Sequence, residues 1–338
     1  MEAILYNPCS IARCWRLLNI LETLTADIVM LTGLRYRRRA TTKLPYETVR
    51  VGRYFGYIWG YADGALTNKA AGVGIFMTRR IRMDHVVEIS SPEKWLQGRA
   101  GMVRLKGGRS DITTIVGYPP PDTGKHQTKA VKETMKWIRG ILEKSPQRTL
   151  PLVGLDNVGV ATGGIRGVGN FNLSTHNTGG AEVLKIVNDL GMALPGTMWR
   201  EAGPTYHSTN TATTPDHWLV PDELCGGIHR VKVLWKAGRK LQLIPSRHAM
   251  DHLPILLSFD YELKLDKTAD GRTCWDQDKI ALCLQTGIGR REFLEELAEA
   301  FEGALEEVKE REEDELPDKH WEKRVGPVHE VLHKGEER

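Results

Sequence analysis

Apolar residues in this chain gather in short runs that stop at turn-forming residues: DIVMLTG (27–33), AGVGIFMT (71–78), DITTIVGY (111–118), TLPLVGL (149–155), DHWLV (216–220) and LPILLSF (253–259). Runs of this length, rich in β-branched side chains and bounded by Gly, Pro or Asp, read as strands, most of them covered on both faces. Three segments have helical spacing instead. These are 11–24; 125–144, where Val131, Met135, Ile138, Ile141 and Leu142 share one side; and 182–190, which follows a Thr-Gly-Gly start. Strands outnumber helices and the two do not alternate regularly. The pattern therefore predicts a mixed, largely antiparallel α/β (α+β) domain rather than a doubly wound parallel sheet.

The main domain is expected to span 1–262, with a connector over 263–290. The stretch REFLEELAEAFEGALEEVKEREEDE (291–315) then places Phe293, Leu294, Leu297, Phe301, Leu305 and Val308 on one face and acids on the other, the pattern of an acidic amphipathic helix. Residues 316–338 read as a loose tail.

Charge changes the picture more than composition does. The 338 residues carry a formal net charge of only +4, but residues 291–338 hold 17 acidic and 8 basic side chains, and residues 1–290 hold 26 acidic and 39 basic ones. A body at net +13 suits a polyanion, nucleic acid first. The acidic helix suits either that basic body or a protein partner. No apolar stretch is long enough to span a membrane. The N-terminus, MEAILYNPCSIARCWRLL, is a poor signal peptide because an acid and arginines interrupt it. The expected location is intracellular, nucleus or cytoplasm, and the expected state is a monomer. Five cysteines without CxxC spacing argue against a disulfide framework and a structural zinc site. GGIRGVGN (163–170) is glycine-rich but lacks the GK[ST] of a phosphate-binding loop.

Candidate chemistry lies at the strand ends. Asn7 follows AILY, Tyr118 closes DITTIVGY, and Asp156 and Asn157 follow TLPLVGL. Asp216 opens DHWLV, and Asp251 and His252 open LPILLSF. Taken singly, each has an ordinary explanation as an Asx turn or a strand cap. Together they make an oxygen-rich set that accepts Mg²⁺ or Mn²⁺, with a histidine beside it able to stabilise charge or move protons on a phosphate. The run Arg35-Tyr36-Arg37-Arg38-Arg39 follows the second strand, and Arg35, Arg37 and Arg38 are candidates for nucleic-acid backbone contact.

In this order and spacing, LYNPCSI, DIVMLTGLR, AGVGIF, RSDITTIVGYPPP, GLDN, TYHSTNTATTPDHWLV and MDHLPIL resemble the endonuclease/exonuclease/phosphatase superfamily. Within it they are most similar to the endonuclease domains of non-LTR retrotransposons. The resemblance covers about residues 3–262. It implies a four-layer sandwich, two mixed sheets packed face to face with helices outside, and an active site at one edge. It also implies roles: Asp251 and Asn7 as metal ligands, and His252, held by Asp216, at the scissile phosphate. Asn157 would orient the nucleophile or a phosphate oxygen, and Tyr118 would bond a phosphate oxygen.

Two departures stand out. Gly33 occupies the place of the family's metal-ligating Glu. Aligning Asn157 with the family's G-D-x-N turn puts Leu155 in place of the Asp that activates water, and Asp156 falls one residue off. On an extended strand that slip turns the side chain to the other face unless a bulge or turn follows Gly154. Three readings stay open: a divalent-metal-dependent phosphodiester hydrolase (a DNA endonuclease of retrotransposon origin), a catalytically inactive nucleic-acid-binding relic, and a small-substrate phosphatase.

Overall fold

The computed structural model describes residues 1–11, 14–38, 44–61, 70–78, 80–242 and 251–262. The expected connector, acidic helix and tail, and Arg39, lie outside the described residues. Five strands of a seven-stranded sheet come first, β1 (Glu2–Tyr6), β2 (Ile28–Leu31), β3 (Glu47–Val51), β4 (Tyr54–Trp59) and β5 (Val73–Thr78), with helix α1 (Cys14–Thr23) after β1. A six-stranded sheet then forms from β6 (Val86–Ser90), β7 (Ala100–Gly107), β8 (Ser110–Gly117), β9 (Leu150–Leu155) and β10 (Met192–Ala193). Helices α2 (Lys125–Lys144) and α3 (Thr178–Leu190) flank β9 in sequence. The chain continues through short strands β11 (Tyr206–His207) and β12 (Ala212–Thr213), then β13 (His217–Pro221), β14 (Ile228–Val233), helix α4 (Trp235–Leu241), β15 (Asp251–His252) and β16 (Ile255–Phe259). The strand orders are β14-β16-β1-β2-β5-β4-β3, β10-β13-β9-β8-β7-β6 and β12-β11-β15. Among the strands of the described residues, β1·β2 and β8·β9 pair in parallel and the others antiparallel.

The continuous apolar runs are explained by burial on both faces. In β1, Ala3 and Leu5 face the core between the sheets, while Ile4 and Tyr6 face α1; in β2, Ile28 and Met30 divide from Val29 and Leu31 in the same way. In β9, Leu152 faces the inter-sheet core, and Val153 and Leu155 pack under α2 and α3. Helix, sheet, sheet and helix therefore stack as four layers. The inter-sheet core holds Trp59 and Trp218, both fully buried. None of the helices among the described residues is long and apolar enough to cross a membrane.

This topology brings the functional candidates to one edge. The parallel pairs β1·β2 and β8·β9 end there. β16 is antiparallel to β1 and starts there, with Ile255 opposite Leu5. β13 is antiparallel to β9 and also starts there, with His217 opposite Leu155.

Candidate active site

Asp156 follows β9 directly, and its amide still bonds the Gly117 carbonyl at 3.0 Å, so the ladder runs one residue past the strand. Side chains alternate along it: Leu152 faces inward, and Val153 and Leu155 outward to the helices. Gly154 and Asp156 therefore face inward. Strand parity, without a bulge, turns the Asp156 carboxylate into the pocket and sends Leu155 into the helix-side core. The turn comes one residue later, at Asn157, whose φ is +63°.

The Asp156 carboxylate is 1% exposed. Its Oδ2 accepts from Asn7 Nδ2 at 2.7 Å and from Thr32 Oγ1 at 2.8 Å. Its Oδ1 lies 4.0 Å from His252 Nδ1 and has no hydrogen-bond partner. His252 Nδ1 donates to Asp216 Oδ2 at 2.9 Å, and the other Asp216 oxygen is likewise buried and unpartnered. Ligand atoms of Asp156, Asp216 and His252 all lie within 4.8 Å of one another. The Tyr206 ring, opposite His252 in the β11·β15 ladder, meets the imidazole edge-on with centroids 5.0 Å apart.

Burial opposes a charged imidazole, but the Asp216 and Asp156 carboxylates, then the Asp216 hydrogen bond and Asp251, outweigh it. The net effect raises the His252 pKa to about 10. Burial, then repulsion from Asp216, pushes the Asp156 carboxyl up, with His252 and the bonds from Thr32 and Asn7 acting against them. The cluster thus holds a proton on the histidine and disfavours the charged form of Asp156.

The other candidates take differing positions. Asn7 is buried and also accepts from the Cys9 amide at 2.8 Å through Oδ1. Asp251, at φ +80°, adjoins His252 but is not one of the three residues whose ligand atoms lie within 4.8 Å of one another. Its Oδ1 accepts from Cys9 Sγ at 3.0 Å and from the His252 amide at 3.1 Å. The Tyr118 phenol is pushed up first by burial and then by Asp156, which places it in the field of the acid cluster. Asn157 directs its amide away, donating to the Pro119 carbonyl at 3.0 Å. Arg35 and Arg37 are exposed on the loop after β2, and Arg38, half-buried, bonds the Leu44 carbonyl.

Sequence reasoning did not single out Thr32, Cys9 or Tyr206. Thr32 sits beside the substituted Gly33, and its hydroxyl was legible only as part of a motif with the wrong residues. Cys9 and Tyr206 carry no signal until the loops pack.

Gly33 has φ +56°, and a Cβ there would overlap the Asn7 amide. The Asn7 side chain fills the space beside Gly33. Gly33→Ala is therefore expected to displace Asn7 from Asp156 and to lower stability by about 1–3 kcal/mol, and Gly33→Glu does so too rather than rebuilding a ligand. Chemical denaturation of the two variants checks this; a Gly33→Glu protein as stable as the parent contradicts it.

A divalent cation fits the donors present. Two buried carboxylate oxygens, one each from Asp156 and Asp216, lack partners, and carboxylate and amide oxygens are the donors that hard cations take.

No family model matches this chain, and no curated protein matches it. Solved structures do. An AP endonuclease from Leishmania major superposes with a TM-score of 0.54 at 13% identity, covering 77% of this chain and 88% of the other. An AP endonuclease from Archaeoglobus fulgidus gives 0.53 at 16%, covering 77% and 100%. A 3′ phosphatase from Neisseria, bound to a product DNA hairpin, gives 0.52 at 14%, also covering 77% and 100%. At these identities the likeness is one of fold.

Proposed function

We propose that this chain, which has the endonuclease/exonuclease/phosphatase fold, is a divalent-metal-dependent phosphodiester hydrolase acting on nucleic acid, specifically a DNA endonuclease. The observation that carries the proposal is the buried Asp156 carboxylate facing the Asp216–His252 pair, with one oxygen of each acid unpartnered. The excess of basic residues over 1–290 supports a polyanionic substrate.

The hydrogen bonds support the following roles. Asp216 fixes the imidazole through Nδ1, which leaves Nε2–H to donate to a phosphate oxygen where negative charge builds. Asp156 accepts a proton from the attacking water as its oxygen bonds phosphorus and the bond to the leaving oxygen breaks. Asn7 and Thr32 orient Asp156 by donating to Oδ2. Mg²⁺ or Mn²⁺, held by Asp156 and Asp216 with the Asn7 amide oxygen and Asp251 nearby, would supply positive charge to the phosphate and a more acidic water. Tyr118 would bond a phosphate oxygen, and Arg35 and Arg37 offer exposed contacts to the backbone; Asn157, whose amide donates to the Pro119 carbonyl, takes no role in this reading.

Gly33 favours a second reading, a nucleic-acid-binding relic without catalysis. Incubation with supercoiled, nicked and abasic DNA and Mg²⁺ or Mn²⁺ separates the two. Cleavage well above that of His252→Ala is expected. Salt-sensitive binding with cleavage no greater than the variant's selects the relic.

A further inference from the structure

Arg99, a deeply buried cation near the site, meets no anion among the described residues. Arg99 precedes β7, is 2% exposed, and is locked by its backbone: its amide bonds Leu96 O at 2.9 Å, and its carbonyl accepts from Tyr118 N at 2.7 Å. None of the described hydrogen bonds or ion pairs involves its guanidinium, and Nη1 is buried without a partner. Its recorded neighbour is the Tyr118 ring, whose centroid lies 5.4 Å from the guanidinium carbon. The same ring bears the phenol that feels Asp156.

A partly buried arginine on the next strand is built differently. Arg104 meets Asp111 in a two-bond fork at 2.9 and 2.8 Å, with Arg148 adding a third contact. A guanidinium taken out of water without a carboxylate is costly, and a π face returns only part of that cost. A protein that needed only packing here has cheaper apolar residues available. The planar fork is suited to a tetrahedral oxyanion.

We propose that Arg99 and Tyr118 form a phosphate subsite at the edge of the acid cluster, with Arg99 supplying the positive charge for a phosphodiester oxyanion that the free protein lacks. This rests on the hydrolase reading for its substrate, but it is a claim about anion binding and is tested without turnover. Arg99 is a binding residue, and Tyr118 presents the anion to the site by its hydroxyl.

The test is thermal melting in EDTA, with inorganic phosphate against chloride at equal ionic strength. Phosphate is expected to raise the parent's melting temperature. Arg99→Met is expected to melt at or above the parent in chloride, because a buried unpaired charge is gone, and to lose the phosphate increment. Arg99→Lys keeps the charge but not the fork and is expected to bind phosphate roughly 10- to 100-fold more weakly.

A parent with no phosphate increment overturns the proposal. So does Arg99→Met melting below the parent with the increment intact, the signature of a packing role. If Arg99→Met fails to fold, Arg99→Lys with parental phosphate affinity overturns it, and weakened affinity sustains it. If DNA cleavage is absent while the increment depends on Arg99, the subsite stands and the hydrolase reading falls. If cleavage is present and KM is unchanged in Arg99→Lys, the reverse holds.

Discussion

Replacing His252 with alanine is expected to lower phosphodiester cleavage by about three to four orders of magnitude while leaving DNA affinity nearly intact. The imidazole is held at 2.9 Å by Asp216 and kept protonated by two carboxylates. In the proposed reaction it is a fixed positive donor at the position where charge develops, which counts more in the transition state than in the bound substrate. The loss should therefore appear in kcat and leave KM largely unmoved. Asp216→Asn leaves the ring but removes the main partner that keeps it charged, and about a hundredfold loss is expected. Single-turnover cleavage and filter binding measure the two quantities. Parental kcat in His252→Ala removes the histidine from the mechanism.

Asp156→Asn carries the second large effect, and it runs in opposite directions for activity and stability. Cleavage should fall by about two to four orders of magnitude, since an amide accepts no proton from water. Without metal, however, the variant is expected to melt higher than the parent at alkaline pH. The folded protein raises Asp156 from 3.8 to about 7 and His252 from 6.5 to about 10. Both shifts mean that the folded state binds more protons than the unfolded one, so both contributions are complete at low pH. The Asp156 part is lost as pH rises from about 4 to 7, and the His252 part from 6.5 to about 10. Above pH 7 the parent carries a strained carboxylate that asparagine relieves. Saturating Mg²⁺ or Mn²⁺ should reverse the order, because a cation replaces the protons and its stabilisation grows with pH. Melting curves at pH 5, 7 and 9, with EDTA and with metal, test it. A parent that stays more stable than Asp156→Asn at pH 9 in EDTA overturns it.

The sequence made the central strands legible because burial on both faces produces unbroken apolar runs, as in β1, β2, β8, β9, β13 and β16. The edge strands were not legible. β3 and β6 hold only partly buried and exposed positions, and β14 mixes buried with exposed ones, so no run marks them. The strand-end residues were visible as a set, but their directions were not. Asp156 is the clearest case: a motif aligned on Asn157 turned it away, whereas Leu152, Val153 and Leu155 define the parity that turns it inward. The Thr32 hydroxyl, the Cys9–Asp251 contact and the unpaired Arg99 depend on packing between elements distant in sequence, and no local pattern announces them.

β1 lies inside the seven-stranded sheet, flanked by β2 and by β16, with Glu2 opposite Ser258 and Leu5 opposite Ile255. During synthesis the first strand made therefore waits for almost the last before its second edge is hydrogen-bonded. The site spans the same gap, from Asn7 to His252. A nascent chain cannot assemble the pocket until the strand ending at residue 259 has been made, so the site forms only once the domain is complete, and until then one edge of β1 stays open.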